Sequence, residues 1–220
     1  MVESRGFQNE GELIEALVGE LKPVVRVSLQ RRVALWLFVC TSALFVLVSI
    51  AKFRGDLATM FSSVPHVLTA LCLVSIGVVS GYFSFLSAVP GRTIPKRALL
   101  MVTIVAVGSV VAMHWGQAGA GIGGLAVGLD PRGIHCTRTI LFWSLILGAG
   151  SVMALRRLAP TRPKISATWI AIAVASLSSI GMALHCPADN FLHVLIWHFL
   201  LPFPIIVFLA RLLALRLLRW

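Results

Sequence analysis

Acid is what this sequence has least of. Eight of its 220 residues are Asp or Glu, and five of those fall in the first twenty positions (Glu3, Glu10, Glu12, Glu15, Glu20). Charge of either sign is scarce, at 12%. A soluble domain of this size needs a polar exterior, and the residues to build one are missing. The long apolar runs hold almost no carboxylates, which removes the usual apparatus of a proton-coupled transporter. Paired carboxylates, a serine nucleophile motif and a cofactor box are also lacking, so nothing marks an enzyme. The four cysteines and six histidines show no C-x-x-C, H-E-x-x-H or zinc-finger spacing. No basic start with a short apolar core and a small-residue cleavage site precedes the first apolar run. That run is expected to remain in the product as a span.

What is present is apolar. Hydrophobic residues make up 58% of the chain, in runs of the roughly 20 residues that cross a bilayer. Six such runs lie at about 33–51, 64–89, 98–115, 139–155, 165–184 and 191–213. The expected fold is an all-α integral membrane bundle of six transmembrane helices, spanning 33–220, behind a short N-terminal segment at 1–32. Nineteen Lys and Arg give a net charge of +11, and they sit mostly between the runs. That placement argues against a nucleic-acid surface, which clusters them on a folded polar face. Fifteen fall on one side of the expected topology. The other four are Lys52, Arg54, Arg132 and Arg138. The positive-inside rule then makes both termini cytoplasmic.

Within the N-terminal segment, Leu13, Ile14, Leu17, Val18 and Leu21 recur at helix spacing, with Glu12, Glu15 and Glu20 largely off that stripe. Lys22-Pro23 ends or kinks the helix. Membrane-surface helices are usually basic. This acidic one points to a protein partner or to docking on its own bundle. Gly77-x-x-x-Gly81 in the second run is a close-packing signal. Gly119-Ala-Gly121-Ile-Gly123-Gly124 fits G-x-G-x-x-G, but no strand precedes it and no acidic residue follows at the proper interval. It reads as an outer loop or a shallow re-entrant segment. Trp36, Trp115, Trp169 and Trp220 fall near expected interfaces.

Two His-Cys pairs stand between runs on the expected outer face: His135-Cys136 and His185-Cys186. Pro187 suits the first position of the sixth helix, which would put Cys186 near its N-cap. Cys136 begins the fourth. Two helix N-termini would then favour thiolate. Thiolates there either pair as a disulfide or bind a soft or borderline metal with imidazole as co-ligand. Cys136, Cys186, His135 and His185 make a two-sulfur, two-nitrogen set, with Asp189 and His193 as further candidates at intervals of three and four from Cys186. No resident cofactor is indicated; the set admits a transient metal ion. Cys40 and Cys72 lie inside spans and read as small apolar residues. His66 and His114 read as interface histidines, and His198 as a packing residue beside Trp197.

At Glu12-Leu13-Ile14-Glu15-Ala16-Leu17, Leu21-Lys22-Pro23-Val24, Val89-Pro90-Gly91-Arg92, Cys136 and Cys186-Pro187-Ala188-Asp189, with His193, Trp197 and His198 downstream, the chain resembles the NrsF family of six-span anti-sigma factors. The resemblance implies a cytoplasmic N-terminal segment that holds an extracytoplasmic-function sigma factor. Leu13, Ile14, Leu17, Leu21, Lys22 and Pro23 are its contacts. It also implies that Cys136 and Cys186 report a periplasmic heavy metal or oxidant, with His135, His185, Asp189 and His193 in support. The soluble zinc-type anti-sigma motif H-x-x-x-C-x-x-C is absent. Two other functions compete. A membrane thiol oxidoreductase would need a second, shuttling cysteine pair, and a metal permease would need intramembrane ligands.

Overall fold

The computed structural model describes residues 28–95, 133–158, 160–188 and 190–218, with isolated positions at 11, 14, 18, 19, 97, 98, 100–102, 104–106, 108 and 131. Described secondary structure is helical throughout. The elements are α1 (Leu29–Ala51), α2 (Leu57–Ser62), α3 (Val64–Ala88), α4 (Gly133–Arg156), α5 (Pro163–His185), α6 (Phe191–His193), a π-helix (Val194–Leu200) and α7 (Pro202–Leu217).

Their starts are written in the sequence. Ser28 caps α1, its side chain accepting from the Arg31 amide. Proline stands in the first two positions of α3 and α5, where no intrahelical N–H is lost. Among the described residues, five helices are long and apolar enough to cross a membrane: α1, α3, α4, α5 and the continuous stretch Val194–Leu217. Large apolar side chains face outward along them, among them Phe38, Phe45, Leu145 and Phe208. Such a surface suits lipid and not water.

α5 is the central helix. Of its apolar window 72% is buried, against 17% for Val194–Leu217. Ala171, Ala173, Ala175, Ser176, Ser178, Ser179 and Gly181 explain this, since small side chains let neighbouring backbones come close. Serines also stitch the contacts. Ser84 Oγ donates to the Ser166 carbonyl at 2.8 Å, Ser87 and Ser166 hydroxyls share a bond at 2.8 Å, and Ser144 Oγ donates to Ser178 Oγ at 3.0 Å. Interhelical bonds of this kind are worth about 0.6 kcal/mol each in a bilayer. They fix register more than they add stability.

Trp36 and Trp169 are buried against neighbouring helices. Trp36 donates from Nε1 to Ser151 Oγ at 2.8 Å, and its ring lies where a Cβ on Gly81 would stand. The Gly77–Gly81 spacing therefore serves packing, partly to seat an indole.

Ser87 meets Ser166 at the start of α5, and Cys136 meets Cys186 just past its end. Ala88 and Gly133 thus lie at opposite ends of the bundle. The described positions of the expected third span, Ala98, Leu100, Met101, Val102, Ile104, Val105, Ala106 and Gly108, are helical, with Ala98 and Val102 packed beside Ile76 and Trp169. The rest of that span and the Gly119–Gly124 stretch lie outside the described residues. So do Leu13, Leu17, Leu21, Lys22 and Pro23. Ile14 is helical and exposed.

Candidate metal and thiol site

The site lies at the end of the bundle where α4 begins and α5 stops. Cys136 is in the first turn of α4, where the expectation placed it. Cys186 is the C-cap of α5, its amide donating to the Met182 carbonyl at 2.7 Å. It is not an N-cap. Pro187 and Ala188 are non-helical, and the next helix starts at Phe191. Asn190 does the capping there, its Oδ1 accepting from the Leu192 and His193 amides at 3.0 and 3.3 Å. The interval argument that ran one helix face from Cys186 to His193 therefore fails. His193 reaches the cysteines by a turn of the chain instead. Asp189 lies outside the described residues.

Cys136 Sγ and Cys186 Sγ are 3.5 Å apart, and Cys136 Sγ is 3.6 Å from His193 Nε2. The His193 and His198 rings meet edge to face with centroids 5.7 Å apart. One ligand atom from each of Cys136, Cys186, His193 and His198 lies within 4.8 Å of the others, and all four residues are buried. His198 Nε2 has no hydrogen-bond partner.

His135 and His185 are not part of this group, which corrects the four-residue set drawn from the two dipeptides. His135 is exposed. His185 Nδ1 bonds the Lys52 carbonyl at 2.7 Å and its ring sits edge-on to Trp143. Adjacent helical residues point about 100° apart, so the neighbour of an inward cysteine looks elsewhere. His198, read as a packing residue, takes the vacant place.

The π-helix explains why. In an α-helix two residues five apart are about 140° from each other around the axis. The i→i+5 bonding of a π-helix brings such a pair round toward one face. Leu201 N donates to the Ile196 carbonyl in that pattern, at 3.1 Å. Pro202 has no N–H to give to the carbonyls of Trp197 or His198. Those oxygens are claimed by other helices: Thr137 Oγ1 donates to Trp197 O at 2.7 Å, and Ser179 Oγ to His198 O at 3.0 Å. Thr137 neighbours Cys136, and Ser179 belongs to α5. The ring of Trp197 in turn occupies the space beside Gly133, where any Cβ would overlap it. The signal for this was legible: Pro202-Phe203-Pro204 inside an apolar run cannot be satisfied by an unbroken helix.

A second support escaped the sequence reading. Arg54, counted there only for topology, is buried. It clasps Asp56 through Nε and a terminal nitrogen at 2.6 and 2.7 Å and donates to the Cys186 carbonyl at 3.0 Å. Its amide bonds the Leu184 carbonyl. The loop after α1 is thereby stapled to the end of α5. The guanidinium holds the Asp56 carboxyl down at about 2. Cys186 is held well below the ordinary thiol range because the Cys136 thiol donates to it, which outweighs the opposing effect of burial.

These features define a class first: described residues that are helical, with five helices among them able to span a bilayer, and a buried thiol–imidazole cluster at one end. The particular family follows from comparison. The chain belongs to the NrsF family, whose model, described as negative regulator of sigma F, matches residues 17–220. It is a negative regulator of a sigma factor, and its family is a regulatory one and not a known enzyme class. No curated protein and no solved structure matches it.

Proposed function

We propose that this chain is a multi-pass inner-membrane anti-sigma factor that holds an extracytoplasmic-function sigma factor through residues 1–32 and releases it when Cys136 and Cys186 react with a heavy metal or an oxidant. Both termini are cytoplasmic in this reading and the cysteines face the periplasm. The observation that carries it is the 3.5 Å approach of two cysteine sulfurs from separate spans, in a chain whose family regulates a sigma factor. Forming a disulfide requires the sulfurs to close to about 2.05 Å, and a bridging soft metal resets their spacing as well. Either event pulls on the start of α4 and the end of α5. α5 packs against every other long described helix, so its displacement reaches the far end, where α1 starts at Ser28. For release, the inducer must favour the releasing arrangement by a few kcal/mol.

Cys136→Ser and Cys186→Ser are the test. Each is expected to abolish induction by cadmium or an oxidant while the protein remains in the membrane and still binds its sigma factor. Normal induction in either variant would remove the sensor role.

A further inference from the structure

We propose that Cys136, Cys186, His193 and His198 form a closed tetrahedral site that holds a zinc-class divalent ion in the resting protein. The geometry can be checked against bond lengths. Zinc–sulfur bonds of about 2.3 Å and zinc–nitrogen bonds of about 2.0 Å give a tetrahedron with sulfur–sulfur edges near 3.8 Å and sulfur–nitrogen edges near 3.5 Å. The protein holds the two sulfurs 3.5 Å apart and Cys136 Sγ 3.6 Å from His193 Nε2. All four ligand atoms fall within 4.8 Å of one another. The cage is close to its loaded dimensions.

A disulfide accounts for the sulfurs but would remove the thiol that His193 Nε2 approaches at 3.6 Å. His198 is 2% exposed and its Nε2 is unpaired. Burying such a nitrogen without a hydrogen bond is unfavourable, and the backbone departs from α-helix to bring it here. A metal supplies the missing partner. Charge also balances. On binding, any proton the two sulfurs still hold passes to solvent, and two thiolates neutralise a divalent ion in a buried setting. Two sulfurs and two imidazoles in a tetrahedron select zinc among common divalent ions. With four protein ligands no coordination position stays open, so the ion is structural and not catalytic.

The consequence for signalling rests on the function proposed above. The ion would clamp the start of α4, the end of α5 and the π-helix together. An inducing metal that binds thiolate more strongly, such as cadmium, would act by taking the place of zinc.

The test is metal analysis of the full-length protein purified from membranes in detergent without chelator. About one zinc per chain is expected. His193→Ala and His198→Ala should lose it at least about tenfold, whereas His135→Ala and His185→Ala should keep it. His198→Cys, which restores a ligand, should recover metal where His198→Ala does not. Cobalt(II) reconstitution should give tetrahedral bands with thiolate charge transfer. Protein that carries no zinc after reconstitution, or equal zinc in the wild type and in both His193 and His198 variants, overturns the site. The two proposals separate cleanly. Zinc without cysteine-dependent induction keeps the site and removes the sensor. Cysteine-dependent induction in a zinc-free protein does the reverse.

Discussion

At the scale of single residues, the site is held by groups that are not ligands. Thr137 gives its hydroxyl proton to a carbonyl that Pro202 cannot serve. Thr137→Val keeps the shape and deletes this bond between α4 and the π-helix. A loss of about 0.5–1.5 kcal/mol follows, readable as a lower thermal midpoint in detergent, together with greater reactivity of Cys136 toward a thiol reagent. Gly133→Ala drives a methyl into the Trp197 ring and should cost about 1–3 kcal/mol by overpacking. Asp56 offers a pH test. Its folded pKa is depressed, so the stability it contributes is complete above the unfolded value of about 3.9. That contribution is lost as pH falls through about 2. Asp56→Asn should therefore lower the thermal midpoint by an amount that stays constant from pH 8 to pH 5. The gap to the wild type should close only in stronger acid. A gap that closes near neutrality would show that another group titrates.

At the scale of elements, the π-helix decides which histidine joins the cysteines. It behaves as one extra residue wound into an otherwise α-helical span. Deleting Leu195 should return the segment to α-helix and turn His198 by about 100° relative to His193. Helicity by circular dichroism should be kept while the metal content of the purified protein falls. Unchanged metal after the deletion would mean that the π-turn does not position His198. The small-residue face of α5 belongs to this scale too. It brings α3, α4 and the π-helix close enough for serine hydrogen bonds, and so transmits a shift at Cys186 as a rigid body and not as a local bend.

At the scale of the whole molecule, the proposal depends on the two ends of the bundle facing different compartments. Because Cys136 and Cys186 are buried, their own labelling is a poor guide to sidedness. Pro187 is exposed beside them, and Arg31 is exposed at the other end. An impermeant maleimide on intact spheroplasts should label Pro187→Cys and spare Arg31→Cys. The reverse pattern would deprive a periplasmic inducer of access. The sigma factor should bind through the N-terminal segment, and Leu17→Asp should reduce its recovery in a membrane pull-down at least about tenfold if the apolar stripe is the contact.

The sequence alone determined the membrane class, because apolar runs of bilayer length leave little else to build. Helix starts at Ser28, Pro65 and Pro163 were written locally as well, since caps and prolines act within a turn. It also singled out Cys136, Cys186 and His193. It could not tell that the partners of the cysteines are His193 and His198 in place of the adjacent His135 and His185. Adjacency in the chain sends two side chains to different faces, and only the winding of the backbone between residues 193 and 202 sets which distant ring comes round. Nor could it place Arg54 on Cys186, 132 residues away. Long-range pairings of that kind are fixed by how helices pack, and packing depends on all of the small residues of α5 at once.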